Sequence, residues 1–160
     1  MARKQLLDED PKMTIMNLLD NNWDSSNTSI STNPKISTGW WDKSNNTPQV
    51  SVTNRQDLGE GASFNDGGGE GVGRDETTTV LVTAFAQRQD GEPNPKKLSF
   101  EFQQEAARII GNNAGSIGDF YLTTVDSPTE LPPNDPELPP AVFGYQLTVT
   151  GRWLRTFFSP

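Results

Sequence analysis

The stretch Val142-Phe143-Gly144-Tyr145-Gln146-Leu147-Thr148-Val149-Thr150-Gly151-Arg152-Trp153-Leu154-Arg155 decides the fold class. Phe143, Tyr145, Leu147, Val149 and Trp153 stand at alternate positions, with Gly151 in series, while Gln146, Thr148, Thr150 and Arg152 fill the positions between. A period of two sustained over such a length predicts a half-buried β-strand, because successive side chains of a strand point to opposite faces. Gly151 marks a bulge or a place where something approaches the backbone closely. Working outward, residues 77–87 predict a second long strand, rich in Thr and Val. Leu81 and Phe85 share one face, and Val80, Val82 and Ala84 share the other. Apolar residues on both faces predict a central position in the sheet. Shorter strands are expected at 35–38, at 49–54, where Val50 and Val52 alternate with polar residues, and at 119–125.

Two helices complete the pattern. Asp10-Pro11 opens the first: an Asp accepts from free amides, and Pro lacks the amide that would go unpaired at the first helical position. Ile15, Leu18, Leu19 and Trp23 then form an apolar stripe. The second helix is expected over 98–113. Leu98, Phe102, Ala106 and Ile109 are its buried stripe, Glu101, Gln104, Glu105 and Arg108 lie on its wet side, and Gly111 supplies a stop. The order α-β-β-β-α-β-β has no repeated strand–helix–strand alternation. It predicts an α+β fold: one domain over 1–160, with an antiparallel-rich mixed sheet and two helices packed on one face.

Composition narrows the function. With no Cys and no His among 160 residues, disulfides, thiolate or imidazole metal sites, cysteine nucleophiles and the Ser-His-Asp triad are excluded. No apolar run approaches the ~20 residues of a membrane span. The first ten residues have two bases but no apolar core, so no signal peptide is expected. The formal net charge is −8, and such a surface repels phosphate backbones. The acidity is concentrated. Residues 57–76 hold Asp57, Glu60, Asp66, Glu70, Asp75 and Glu76 against Arg74, and residues 126–137 hold Asp126, Glu130, Asp135 and Glu137 with no base. The Gly-rich 57–76 segment is expected to be an exposed loop, and the Pro-rich 126–140 segment a second one.

Motifs for catalysis fail on their spacing. Gly67-Gly68-Gly69-Glu70-Gly71-Val72-Gly73 lacks the Gly-Lys-Ser/Thr of a phosphate loop, and Gly73 stands where a calcium-binding nonapeptide needs Asp. Loose calcium binding by the 57–76 carboxylates would be unspecific. Glu101 and Glu105 are one helical turn apart, without the His or second carboxylate pair of a di-metal site. Asn27-Thr28-Ser29 and Asn45-Asn46-Thr47 fit the glycosylation pattern, which an Asn-rich chain meets by chance. No cofactor and no metal are expected, and the chain reads as a non-enzyme. Two aromatic pairs, Trp40-Trp41 and Phe157-Phe158, either pack internally or meet a neighbouring subunit, where aromatics and Arg concentrate.

Taken together, these pieces resemble the tail terminator (tail completion) proteins of long-tailed viruses. The resemblance is carried by the amphipathic N-terminal helix, Pro-Gln-Val-Ser-Val-Thr-Asn (48–54), Thr-Thr-Thr-Val-Leu-Val-Thr-Ala-Phe (77–85), Phe-Gln-Gln-Glu-Ala-Ala-Arg-Ile-Ile (102–110) and Phe-Gly-Tyr-Gln-Leu-Thr-Val-Thr-Gly-Arg-Trp (143–153). It is a likeness of layout over nearly the whole chain, and the 57–76 insert and the acidic 126–140 loop depart from the typical pattern. The low pI also resembles that of proteins from viruses of haloarchaea. The resemblance implies a virion protein of the neck, assembled in the host cytoplasm, that forms a six-fold ring on the last tail-tube ring. Its partners would be copies of itself, the tail-tube protein and a head-closure or neck protein, with genome DNA passing unbound and no membrane contact. On that reading Asp57, Glu60, Asp66, Glu70, Asp75, Glu76, Glu130, Asp135 and Glu137 are candidates to face the lumen. Trp40, Trp41, Arg152, Arg155, Phe157 and Phe158 are candidates for the subunit interface. A head-closure or other connector ring, and an unrelated binding module, are the alternatives.

Overall fold

The computed structural model describes residues 3–4, 9–39, 48–54, 62–64, 73–87, 94–131 and 142–156. Helix α1 runs Pro11–Asn22; the Asp10 carboxylate accepts the Lys12 N–H at 3.0 Å, and Pro11 occupies the first turn. Helix α2 runs Pro95–Asn112, and the Asn94 side chain accepts the Lys97 N–H at 3.2 Å. Among the described residues eight strands form one sheet: β1 (Arg3–Lys4), β2 (Lys35–Ser37), β3 (Gln49–Asn54), β4 (Ala62–Phe64), β5 (Gly73–Ala86), β6 (Leu122–Val125), β7 (Thr129–Glu130) and β8 (Phe143–Thr156).

Strands β5 and β8 are the axis of the sheet. They pair antiparallel over 14 residues, from Gly73 opposite Thr156 to Ala86 opposite Phe143. At ~3.4 Å per residue this is a ribbon about 48 Å long. The other edge of β5 carries β3, with Val52 opposite Val82, and β4, with Phe64 opposite Arg74. The other edge of β8 is lined by β7, β6 and β1 in turn. Strand β2 pairs parallel with β3, and β1 parallel with β8; the remaining pairings are antiparallel. The α+β class, the mixed but antiparallel-rich sheet and the central place of the 77–87 strand match the sequence reading.

One alternate set of side chains makes the core. Val50, Val52, Val80, Val82, Ala84, Ala86, Leu147, Val149 and Trp153 are buried with Ile15 and Leu19 of α1 and Leu98, Phe102, Ala106, Ile109 and Ile110 of α2. Both helices therefore lie on one face of the sheet, where Trp23 meets Phe102 edge-on, ring centroids 5.5 Å apart. The opposite face is mixed: Ser51 and Thr53 of β3, Thr77, Thr79 and Thr83 of β5, and Gln146, Thr148, Thr150 and Arg152 of β8 share it by register with Leu81 and Phe85, and Ser51, Thr83 and Phe85 are fully buried there. There the Gln146 amide donates to the Thr83 hydroxyl at 3.1 Å.

Gly151 is a site of close approach. A β-carbon there would lie 2.7 Å from the Phe120 ring, and Phe120 caps this end of the core. The bulge sits on the neighbouring lane instead. Val125 faces Val149 and Thr129 faces Gln146, so four steps on one side match three on the other.

Four boundaries move. The expected 57–76 loop is interrupted by β4, and its last residues, including Asp75 and Glu76, belong to β5. Once a strand has a partner along its whole length, pairing overrides the low propensity of Gly and Asp. The expected 126–140 loop contains β7, so Glu130 is a strand residue. Helix α2 begins at Pro95, because Asn94-Pro95 is a cap followed by a first-turn proline. The strand expected over 119–125 starts only at Leu122; Asp119 lies in the turn that holds Gly118 at φ 50°.

Candidate functional site

The polar side chains of α2 do not all face water. Glu105 is 2% exposed, although periodicity placed it on the wet side. Its Oε2 accepts the Asp24 N–H at 2.9 Å, its Oε1 accepts the Asn27 amide at 3.0 Å, and Arg108 donates to both oxygens at 2.6 and 2.8 Å. One turn earlier, Glu101 accepts the Ser29 hydroxyl at 2.6 Å. The two carboxylates clasp the segment between α1 and β2 onto α2. Burial pushes the Glu105 carboxyl up, but the bonds from Arg108, Asp24 and Asn27 outweigh it and hold the group below its ordinary value. The bond to Glu105 raises Arg108, and the Ser26 hydroxyl and N–H lower Asp24. With its lone pairs taken, Glu105 has no capacity for acid–base or metal chemistry. Among the described residues no group of three or more carboxylates gathers around a point that could hold a metal ion.

A half-open cleft of about 450 Å³ lies between the start of α1 and the α2–β6 turn. Leu18, Ile117 and Phe120 form its apolar lining, with Glu9, Asn17 and Asp119 among its polar residues. The Asn17 amide is 3.5 Å from Glu9, and the cleft's two hydroxyls, Thr14 and Ser116, donate to backbone carbonyls of their own turns. Nothing in this set forms a nucleophile–base pair.

The candidate assembly residues fall into two groups. Asp57, Glu60, Asp66, Glu70, Asp135, Glu137, Trp40, Trp41, Phe157 and Phe158 lie outside the described residues. Of the rest, Glu130 is exposed on β7 with Lys96 Nζ 3.3 Å away. Asp75 and Glu76 stand opposite Leu154 and Trp153, and Arg152 is half-buried opposite Thr77. Arg155 is in register with Arg74 on one side and Lys4 on the other. That register joins three separate segments of the backbone, and no local spacing in the sequence signals it. No helix among the described residues is long and apolar enough to cross a membrane. No family model matches the chain, and no curated protein matches it.

Proposed function

We propose that the chain is a structural ring subunit of a viral tail, ending tube growth and joining the tail to the head while genome passes through its lumen. The observation that supports this best is the one-sided sheet. Helices cover a single face, the outer lanes are short broken strands, and one of them is the three-residue β2. Short outer strands keep a sheet monomeric until a specific partner extends its ladder. A head-to-tail contact whose rotation closes makes a ring. Carboxylates of at least one of the segments 57–76 and 126–137 face the channel and repel DNA, so the genome slides without sticking.

The test has two arms. The mass of the purified protein, alone and with tail tubes, should report a closed ring, at least on the tube end. Deletion of the gene should leave overlong tails that do not join heads. A particle that stays monomeric and ignores tubes would remove the reading, and normal-length tails unable to join heads would move it to head closure.

A further inference from the structure

Among the described residues the sheet ends on one side at β2 and on the other at the lane of β6. In β2 the Lys35 N–H bonds to Pro48 O at 3.0 Å. Lys35 and Ser37 therefore turn their main-chain groups to β3, and Ile36, between them, turns its N–H and C=O outward. In β6 the Asp126 N–H bonds to Thr148 O at 3.0 Å, which turns Thr124 inward as well and leaves Thr123 and Val125 facing outward. The Thr123 N–H is already taken by Ala114 O at 3.1 Å. Val125 is thus the described residue of β6 that offers an outward donor and acceptor together.

The polarity of the two edges matches. Followed across the sheet, β2 runs with β3 and β8, and β6 runs with β5, so β2 and β6 are antiparallel. A second copy set beside the first in the same orientation brings its β2 antiparallel to β6. An antiparallel pair exchanges both main-chain bonds where two outward-facing residues stand opposite each other, here Ile36 and Val125. That one pairing fixes the rest: Ser37 falls opposite Thr124, and Lys35 opposite Asp126. Ile36 and Val125 both pack against the core on the helix-covered face, so together they continue it. On the other face a Ser meets a Thr and a base meets an acid, both favourable cross-strand pairs. Lys35 and Asp126 are exposed, and neither forms an ion pair among the described residues.

We infer that β2 of one copy of this chain adds to β6 of the next, Ile36 opposite Val125, so that the sheet runs on from subunit to subunit. Within one subunit β2 and β6 stand four lanes apart, about 19 Å at ~4.8 Å per lane, so the pair cannot form inside a chain. A contact between two different edges is head-to-tail, the kind that closes into rings. Pro34, which has no N–H, and the occupied Thr123 N–H bound the new ladder at its two ends. So short a ladder holds off unrelated strands and favours the one whose side chains match. The inference rests on the ring reading above and names the edges that meet.

Engineered cross-linking tests it, because the native chain has no Cys. In the inferred register Ser37 and Thr124 form a non-hydrogen-bonded pair with Cα atoms about 4.5 Å apart, a separation that a disulfide spans. The variant with Ser37→Cys and Thr124→Cys, oxidised after assembly, should run on a non-reducing gel as a ladder of linked chains ending at the ring size. Each single substitution should give no ladder. Ser37→Cys with Leu122→Cys, two residues out of register, should link at least about tenfold less. Charge reversal reads the same contact without thiols. Lys35→Glu and Asp126→Lys, each with the circular dichroism of wild type, should weaken self-association about threefold or more. An equimolar mixture of the two, or both in one chain, should recover it. Rings that form without the link, or that link equally well out of register, overturn the contact and leave the ring reading standing. If the cysteine variant does not fold, the charge pair decides, and association indifferent to both reversals overturns the inference. Linked chains of unlimited length keep the contact and remove the ring, and a wild type that stays monomeric beside tail tubes removes both.

Discussion

Replacing Gly151 by Ala should destabilise the protein through a single steric conflict. The new β-carbon would sit 2.7 Å from Cδ1, Cδ2 and Cε2 of Phe120, well inside van der Waals contact. The ring cannot retreat easily. The Phe120 N–H is bonded to Ile117 O at 3.0 Å, the Tyr121 N–H to Arg152 O at 2.9 Å, and Phe120 is 6% exposed against the core. Overpacking of this kind costs about 1–3 kcal/mol. Exchanging Gly for Ala within a strand returns roughly 0.5–1 kcal/mol of backbone entropy. Taking the middle of each range, the net loss is about 1 kcal/mol, which for a chain of this size lowers Tm by about 2–4 °C. Urea unfolding followed by circular dichroism reads it, with an unchanged m-value as the sign that the surface exposed on unfolding is the same. The same substitution in a Phe120→Leu background should cost less than about 0.5 kcal/mol, since the clash has gone. A Gly151→Ala protein as stable as wild type would refute the reasoning, as would an equal cost in both backgrounds.

Other outcomes follow from the same geometry. Gly144→Ala meets Leu131 Cδ1 at 2.7 Å, but the end of a leucine can rotate aside, so the cost should stay below about 1 kcal/mol. Glu105→Ala leaves the Asp24 N–H, the Asn27 amide and Arg108 without their acceptor and should lower stability by about 2–4 kcal/mol, measured by urea midpoint at neutral pH. Because the folded Glu105 carboxyl titrates below its ordinary value of 4.5, its contribution is complete above that pH and is lost as pH falls through the folded value. The stability gap between wild type and Glu105→Gln should therefore narrow on acidification below 4.5, and a gap constant from neutral pH to pH 3 would contradict this. Asp10→Ala removes the cap of α1 and should cost about 1 kcal/mol, seen as a lower thermal midpoint.

The sequence by itself determined what local chemistry determines. The alternation from Phe143 to Trp153 defined β8 and its buried face, Val80, Val82 and Ala84 marked β5 as central, and Asp10-Pro11 announced the start of α1. Each of these signals is carried by neighbours in the chain, so a period or a cap suffices to read it. The burial of Glu105 was not legible, since its hydrogen-bonding partners Asp24 and Asn27 lie about 80 residues away. Nor were β4, β7 and the first residues of β5, short or Gly- and Asp-containing segments that form strands only because β5 and β8 offer them a ladder. The row Lys4–Arg155–Arg74 belongs to the same class. Pairing register is a long-range property set when three distant segments align, and only the tertiary structure decides which residues it places opposite one another.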